Sequence, residues 1–222
     1  MLLASPKSES DLLERCRPLE GLSVGQLAAR LSYPIPSKPL QRKGLIGVLI
    51  ERALGTTAGT LALPDFAELG IELKTLPINS AGVPAESTFV TTIPLLTIHQ
   101  QQWLTSTCYM KLKRVLWFPV ESSADISFIH RRFGRAFLWS PTEPQSRVLE
   151  QDWQALTALI VMGQIAEIDA RMGEYLQVRP KAANAKSLCA SFDEQGDRVQ
   201  TLPRGFYLRS RFTQQLFAES LG

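Results

Sequence analysis

The stretch from Pro64 to Thr75 places an aspartate, a glutamate and a lysine where a single β-strand can bring them together. Within it, Ile71 and Leu73 alternate with Glu72 and Lys74. Successive side chains of a strand point to opposite faces of a sheet. The apolar pair is therefore predicted on one face and the charged pair on the other.

Asp65 precedes this strand by a few residues, and Leu69-Gly70 between them is typical of a turn. The chain can therefore fold back and set the Asp65 carboxylate beside Glu72. Two carboxylates and one ammonium group would then share one small region. The alternative is that Glu72 and Lys74 form a solvated pair on an edge strand and that Asp65 is only a turn residue.

Such a cluster predicts metal-assisted chemistry on phosphate. Two neighbouring carboxylates repel each other unless a cation lies between them, and their hard oxygen atoms suit Mg²⁺. With Mg²⁺ bound, a phosphoryl oxygen can be polarised and a water molecule made more acidic. Lys74 can orient that water or stabilise the charge that develops on phosphorus. The implied reaction is phosphodiester hydrolysis.

Composition narrows the class of protein without identifying it. The 222 residues are 45% hydrophobic and 20% charged, with a net charge of +3, as in a soluble globular chain. Cys16, Cys108 and Cys189 lie far apart without a C-x-x-C motif, which favours reduced thiols in a cytoplasmic protein. His99 and His130 lack partners at metal-ligand spacing, which argues against a zinc site or a histidine triad. No apolar run is long enough for a signal peptide or a membrane span.

Local patterns predict an α/β chain. Ser8 and Ser23 are capping residues for two N-terminal helices, and a third helix runs from near Gly44 to Gly55 with an apolar stripe. The other predicted elements are a hairpin turn at 79–84, strands at 87–93, 115–118, 136–139, 175–178 and 202–208, and helices at 143–163, 182–190 and near the C-terminus. The amides that begin the 182–190 helix can hold a phosphate. The terminal helix either packs or docks a partner.

The pattern D-x6-E-x-K formed by Asp65, Glu72 and Lys74 resembles the active site of the restriction-endonuclease-like nucleases. The wider sequence is similar to the mismatch-repair endonucleases of that group in five blocks, which keep the family order: 44–51, 69–77, 111–119, 175–186 and 201–208. The resemblance implies one restriction-endonuclease-like domain over residues 1–222, with a mixed β-sheet flanked by helices. It also implies two lobes that form a DNA-binding cleft: a catalytic lobe at approximately 1–120 and a DNA-recognition lobe at approximately 121–222.

The same resemblance implies a function. It indicates a monomeric, cytoplasmic, Mg²⁺-dependent endonuclease that nicks the unmethylated strand of hemimethylated GATC sites. The enzyme would be activated by MutL after MutS has found a mismatch. One alternative is a stand-alone type II restriction endonuclease for GATC, which would dimerise and cut both strands. The other is a non-catalytic DNA-binding module of the same fold, although the presence of Asp65, Glu72 and Lys74 argues against it.

The resemblance also assigns the catalytic residues. Asp65, Glu72 and the backbone carbonyl of Leu73 would hold the metal, and Lys74 would complete the catalytic set. Glu51, inside the predicted helix at 44–54, matches a further acidic residue of the family's active site and is a possible metal ligand. The alternative for Glu51 is a residue at the flank of the helix that points to water.

Two lysines match family positions that contact DNA phosphates, Lys43 and Lys111. The sequence departs from the family pattern near both of them. Arg42 stands where an aspartate is common and Leu45 where a tryptophan is common, and residues 107–110 lack the usual histidine and arginine. A basic loop at Arg131, Arg132 and Arg135 is either solvated or in contact with phosphate.

The last quarter of the chain is the predicted reading region for the DNA sequence. From residue 171 it holds eight Lys and Arg residues against five acids. Arg179 can bind a guanine edge through two hydrogen bonds, and Lys181 is a further DNA-binding candidate at the start of the predicted 182–190 helix. Tyr207 matches a family tyrosine that faces the GATC site. The alternative is that Tyr207 is only a buried strand aromatic.

Overall fold

The computed structural model describes residues 3–56, 63–182, 184 and 186–222. Six α-helices and eight β-strands occur in this part of the chain: α1 (Glu9–Cys16), α2 (Val24–Arg30), α3 (Leu45–Leu54), β1 (Glu72–Ile78), β2 (Thr88–Thr92), α4 (Thr107–Leu112), β3 (Val115–Glu121), β4 (Phe137–Trp139), α5 (Glu143–Val161), β5 (Leu176–Pro180), β6 (Cys189–Phe192), β7 (Arg198–Thr201), β8 (Arg204–Leu208) and α6 (Ser210–Leu221). The α/β class is as predicted.

The chain divides into two compact units. Unit 1 comprises Met1–Ala85, Lys113–Ser140 and Phe217–Gly222, and unit 2 comprises Glu86–Leu112 and Pro141–Leu216. The single lobe boundary predicted near residue 120 does not coincide with this division. The reason is strand pairing, because residues 113–140 supply β3 and β4 to the sheet that contains β1.

The predicted helix starts are confirmed by their capping contacts. The Ser8 hydroxyl accepts a hydrogen bond from the Asp11 amide at 3.1 Å. Ser23 and Gln26 form a capping box at the start of α2, in which each side chain accepts from the other residue's backbone. These contacts satisfy amides that the first turn of a helix leaves without a partner. α3 begins after Gly44 and ends at Gly55, as the sequence predicted.

Unit 1 is built on a three-stranded sheet in the order β1-β3-β4. β1 runs parallel to β3 with Glu72 opposite Val115, and β4 runs antiparallel to β3. Helices α1, α2 and α3 pack on the face of the sheet that carries Leu73 and Leu116, and their buried residues form one hydrophobic core with it. Burial of this apolar surface is the main stabilising term for the unit.

β2 pairs differently from the prediction. The turn after β1 forms, because the Asn79 side chain accepts hydrogen bonds from the amides of Ala81 and Val83. However, β2 does not return alongside β1 as a hairpin. It pairs antiparallel with β8 in unit 2, where Phe89 lies opposite Tyr207.

Unit 2 contains an antiparallel sheet in the order β2-β8-β5 and a separate hairpin of β6 and β7. In β8 and β5 the inward residues are almost fully buried: Leu176, Val178, Phe206 and Leu208. Because strand side chains alternate, Tyr207 and its neighbour Gln177 in the register lie on the opposite face, together with Arg179. This opposite face carries the residues for which the sequence predicted DNA contacts.

Asp152 of α5 anchors the start of β5. Its buried carboxylate accepts hydrogen bonds from three consecutive backbone amides, those of Glu174 at 2.8 Å, Tyr175 at 2.6 Å and Leu176 at 2.8 Å. Hydrogen bonds to a charged acceptor are stronger than neutral ones, and a buried carboxylate needs them. α5 therefore fixes the position at which β5 begins.

The alanine-rich helix predicted at 182–190 is wrong for the residues that the structure describes. Residues 182, 184 and 186–188 are not helical, and Cys189 and Ala190 belong to β6, which pairs with β7. Pairing with β7 overrides the high helix propensity of alanine in this segment. Ala183 and Ala185 lie outside the described residues. Among the helices of the described chain, none is long and apolar enough to cross a membrane.

Candidate active site and nucleic-acid interface

A tight turn brings Asp65 back to the start of β1. The Phe66 amide donates to the Ile71 carbonyl at 2.9 Å, and the Leu69 amide donates to the Phe66 carbonyl at 3.0 Å. Gly70 closes the turn with a φ of +65°, a left-handed conformation that glycine adopts without strain. Phe66 and Ile71 are both fully buried, so the two arms of the turn are held by the core. The fold-back predicted from the sequence is confirmed.

The backbone of β1 directs one edge towards β3 and the other towards Asp65. The Glu72 amide donates to the Arg114 carbonyl at 3.0 Å, while the next amide, that of Leu73, donates to Oδ2 of Asp65 at 2.8 Å. In a strand, the N–H and C=O groups of one residue point to the same edge. The Leu73 carbonyl therefore points to the edge on which the Asp65 carboxylate lies.

Glu72 and Lys74 form a buried ion pair beside this edge. Nζ of Lys74 lies 2.6 Å from Oε1 of Glu72, and the two side chains are 11% and 3% exposed. Burying two charges costs several kcal/mol per ion before their attraction is counted, so such a pair is weak evidence for a stabilising role. The pair is therefore a candidate functional site rather than a stabilising ion pair. Asp65, Glu72 and Lys74 are called the β1 cluster below.

Glu51 lies half-buried in α3. α3 packs on the sheet face that carries Leu73, whereas the Glu72 and Lys74 side chains lie on the other face. Within the ranges that the structure describes, no three Asp, Glu, His or Cys side chains are grouped closely enough to hold a metal ion. The role of Glu51 in metal binding therefore stays a prediction.

The donor set of the β1 cluster fits Mg²⁺. Mg²⁺ commonly binds one or two protein carboxylates and keeps water or phosphate oxygens at its other positions. Asp65 and Glu72 supply two carboxylates, and the Leu73 carbonyl supplies a third oxygen on the same edge as Asp65. No nitrogen or sulfur donor is needed for this hard cation.

Lys43 is exposed immediately before α3, where the sequence placed a phosphate contact. Its neighbour Arg42, one of the departures from the family pattern, has a structural role. Nε of Arg42 donates to the Pro36 carbonyl at 2.7 Å, a terminal nitrogen donates to the Ser37 carbonyl at 2.7 Å, and the guanidinium lies over the Phe128 ring. The second departure, Leu45, is buried in the core of unit 1.

The basic residues around β3 have different surroundings. Lys111 lies in the last turn of α4 in unit 2 and is half-buried. Arg114 forms an ion pair with Glu9, and this hydrogen bond is the main reason that the pKa of the Glu9 carboxyl is lowered. Lys113 lies close to the turn before β1, with Nζ 3.8 Å from the position of a Cβ at Gly70.

The basic loop after β3 is attached to the N-terminal helices. A terminal nitrogen of Arg132 donates to the Gly21 carbonyl at 2.8 Å, and the Arg132 amide donates to the Glu121 carboxylate at 2.9 Å. The Arg131 carbonyl accepts from the Val24 amide. These contacts tie the loop to α2 and give Arg132 a structural role.

A second cluster forms on the outward face of the β2-β8-β5 sheet in unit 2. The Tyr207 ring meets the Phe89 ring edge to face, with 5.3 Å between centroids. The Arg179 guanidinium lies 5.9 Å from the Tyr207 ring centroid and donates to the Ser87 hydroxyl at 2.6 Å. The Lys181 ammonium lies 4.1 Å from the Phe89 ring centroid. Phe89, Arg179, Lys181 and Tyr207 are called the aromatic–cation cluster below.

This cluster suits nucleic acid, because cations can bind phosphates or guanine while flat rings contact bases. Tyr207 is only partly exposed and is not buried in the core. Partial burial raises the pKa of the Tyr207 hydroxyl, and the Arg179 charge opposes this rise. The hydroxyl therefore stays protonated at neutral pH and can donate a hydrogen bond.

Phe89 was not expected in the site, although it lies under both Lys181 and Tyr207. The sequence signal was an aromatic residue at an outward position of an alternating strand, between Thr88 and Val90. That signal alone does not separate a core residue from a surface one. Only the register of β2 against β8, which places Phe89 opposite Tyr207, reveals its position.

Gly205 makes room for the Phe89 ring. A Cβ at Gly205 would lie 2.8 Å from Cε2 of Phe89 and 3.1 Å from the Thr91 carbonyl oxygen. We expect Gly205→Ala to displace the ring and lower the free energy of unfolding by about 1–3 kcal/mol, the usual cost of overpacking. Thermal and chemical denaturation measure the effect.

Phe89→Leu is the control background for this substitution. A smaller, more adaptable side chain relieves the clash, so Gly205→Ala should cost much less stability in the Phe89→Leu protein than in the wild type. Equal losses in the two backgrounds would show that Gly205 acts through something other than the ring.

The fold and the two clusters define an α/β protein with an acidic, lysine-containing candidate site in unit 1 and a basic, aromatic cluster in unit 2. Comparison with known proteins supports this class. The family model described as "DNA mismatch repair enzyme MutH" matches residues 54–152. Curated proteins called "DNA mismatch repair protein MutH" from Escherichia coli O9:H4 (strain HS) and Escherichia coli (strain K12) are 48% identical over 217 residues, which is 98% of this chain and 95% of each relative. The one from Escherichia coli O6:K15:H31 is 49% identical over the same shares.

The chain therefore belongs to the MutH family of DNA mismatch repair enzymes. The five sequence blocks that resembled mismatch-repair endonucleases had indicated the same family, and this prediction is confirmed. The restriction-endonuclease-like fold is the one implied by this family, and the mixed α/β structure with sheets flanked by helices agrees with it.

Proposed function

We propose that the protein is a Mg²⁺-dependent endonuclease that nicks the unmethylated strand at hemimethylated GATC sites. The observation that carries the proposal is the β1 cluster in a chain of the MutH family. There, the Asp65 carboxylate is bonded to the Leu73 amide beside the buried Glu72–Lys74 pair. Activation by MutL, after MutS has detected a mismatch, is part of the proposal and follows from the family.

Each residue of the β1 cluster has a chemical role in this reaction. Asp65, Glu72 and the Leu73 carbonyl would hold Mg²⁺. When bound there, the ion supplies positive charge that polarises a phosphoryl oxygen and makes water more acidic. The Lys74 ammonium, positioned by Glu72, orients the attacking water or stabilises the charge that develops on phosphorus. Burial of the pair excludes bulk water and so strengthens these electrostatic effects.

The aromatic–cation cluster is proposed to read the DNA. Arg179 faces outward on β5, where its two terminal nitrogens can reach the O6 and N7 atoms of a guanine. Methylation of GATC adds one methyl group to the N6 atom of adenine in the major groove. Discrimination needs a rigid group close to that atom, and Tyr207 is braced by Phe89 and Arg179.

A nicking assay tests the proposal. Supercoiled plasmids with unmethylated, hemimethylated and fully methylated GATC sites would be incubated with the protein and Mg²⁺, with and without MutL. We expect open-circle product from the first two substrates, more of it with MutL, and little from the third. Linear product at low conversion would favour the type II alternative, and binding without any nicking would favour the non-catalytic module.

Lys43 and Lys111 are proposed to contact phosphates, which predicts a uniform effect on all duplexes. Lys43→Ala and Lys111→Ala should weaken binding to GATC and scrambled DNA alike. Each should also reduce the slope of log affinity against log salt by about one unit, because one fewer counterion is released. Anisotropy titrations across a salt series measure both quantities. A loss confined to GATC would instead assign these lysines to base contacts.

A further inference from the structure

Leu40 is the most exposed of the large hydrophobic residues in the described part of the chain. It is 92% exposed, compared with 73% for Leu221 at the C-terminus. It lies in the short 3-10 helix Pro39–Arg42, directly before Lys43 and α3. Single exposed leucines are common on protein surfaces, so exposure alone has no functional meaning. The residues around Leu40, however, indicate a functional role.

The segment that carries Leu40 is firmly held. Arg42 donates hydrogen bonds to the Pro36 and Ser37 carbonyls, both at 2.7 Å, and its guanidinium lies 5.3 Å from the Phe128 ring centroid. The Gln41 amide donates to the Lys38 carbonyl at 3.1 Å, and Pro39 restricts the first position of the turn. Leu40 is therefore presented to solvent on a support that is already ordered, which lowers the entropic cost of binding through it.

The positive charge around Leu40 favours binding of a polyanionic partner. From Gly21 to Ile50 the sequence contains no aspartate or glutamate but has four cationic residues: Arg30, Lys38, Arg42 and Lys43. Lys38 and Lys43 flank Leu40 on either side, and both are exposed. An apolar side chain between two cations is complementary to duplex DNA, in which apolar base surfaces lie between two rows of phosphates.

Leu40 belongs to the same compact unit as the β1 cluster. Lys43 leads directly into α3, which packs against β1, and all of these residues belong to unit 1.

We propose that Leu40 packs its isobutyl group against bases in a groove of the duplex beside the GATC site, while Lys38 and Lys43 contact the flanking phosphates. The inference rests on the proposed function, because it assumes a DNA substrate, and it adds a contact outside the recognised sequence. Apolar side chains of this kind bind thymine methyl groups or partly unstacked base steps. The contact is chemically distinct from a phosphate contact, and salt dependence separates the two.

Binding titrations of the full-length protein test the proposal. With a GATC duplex in Ca²⁺, to hold DNA without cutting it, Leu40→Ala should bind about tenfold more weakly, since burying a leucine side chain is worth about 1.5–3 kcal/mol. Its salt slope should equal that of the wild type, because no charge is removed, whereas Lys43→Ala should lower the slope by about one unit. Leu40→Gln, which keeps the length but not the apolar surface, should resemble Leu40→Ala.

Leu221→Ala is the matched control, because Leu221 is also strongly exposed and belongs to the same unit but has no cationic neighbour in sequence. It should bind like the wild type, and thermal unfolding should be unchanged in all of these variants. Wild-type affinity in Leu40→Ala would overturn the inference, while the proposed function would stand. A wild-type protein that failed to bind the GATC duplex would overturn the proposed function itself.

Discussion

Glu72→Ala should abolish nicking of GATC plasmids in Mg²⁺ while leaving duplex binding nearly intact. The substitution removes one metal-binding carboxylate and leaves the Lys74 ammonium without the partner that positions it at 2.6 Å. It also relieves repulsion between the site and phosphate, which explains why binding should survive. We expect the rate to fall by at least about 10²-fold, and Lys74→Ala should behave similarly. A time course of nicking and an anisotropy titration measure the two effects.

The matched control for Glu72 is Glu68→Ala. Glu68 is an exposed acid in the same turn, so its loss changes the local charge equally without touching the β1 cluster. It should retain wild-type nicking. Replacing Mg²⁺ with Ca²⁺ should reproduce the Glu72→Ala result in the wild-type protein, because the larger ion holds DNA but activates water poorly. A Glu72→Ala protein that still nicked in Mg²⁺ would refute the site assignment.

Asp65 needs a different substitution, because its carboxylate also accepts the Leu73 amide at 2.8 Å. Asp65→Asn can keep that hydrogen bond while losing the negative charge, whereas Asp65→Ala loses both. Equal loss of nicking in the two variants, with Asp65→Asn unchanged in thermal stability, would show that the charge is required for chemistry. Activity in Asp65→Asn alone would limit Asp65 to holding the strand edge.

Tyr207→Ser should nick unmethylated GATC less well and should lose much of its preference against methylated strands. The expected reason is steric, since the aromatic ring is the rigid group that an N6 methyl displaces. The ratio of initial nicking rates on unmethylated and fully methylated plasmids is the measurement. Tyr207→Phe keeps the ring and its contacts with Phe89 and Arg179, so it should keep the ratio. If Tyr207→Ser lowers activity without changing the ratio, methylation is read elsewhere.

Arg179→Ala provides the matching test for sequence recognition. It should cost about 1–3 kcal/mol of binding free energy on GATC and little on scrambled DNA, as expected for a lost guanine contact. Arg179 also donates to the Ser87 hydroxyl, so Ser87→Ala measures how far that hydrogen bond positions the guanidinium. A uniform loss on both duplexes would make Arg179 a phosphate contact.

The β1 cluster could be predicted from the sequence because it is local. Asp65, the glycine turn and the alternation along β1 lie within about a dozen residues, and each depends on backbone rules that act over short distances. The helix starts at Ser8 and Ser23 were predictable for the same reason. The sequence also placed Tyr207 in a strand and Arg179 directly after one, but it gave no indication that their side chains meet.

The features that could not be predicted depend on contacts between segments that are distant in sequence. β2 pairs with β8, more than a hundred residues away, and this pairing places Phe89 beneath Tyr207. The segment at 182–190 has strong helix propensity, but strand pairing with β7 outweighs it. The Glu9–Arg114 ion pair likewise has no sequence signal. The metal-binding role of Glu51 remains a prediction from family resemblance.

The carboxylate of Asp152 has a consequence for how DNA specificity can change in this family of enzymes. It holds the first residues of β5 through their backbone amides, and those bonds are indifferent to the side chains at 174–176. Asp152 thus holds the start of β5 independently of the exposed residue Arg179, whereas Gln177 is buried. A library that varies only Arg179 should therefore yield folded proteins with altered target preference. Variation at Asp152 should yield mostly unfolded ones.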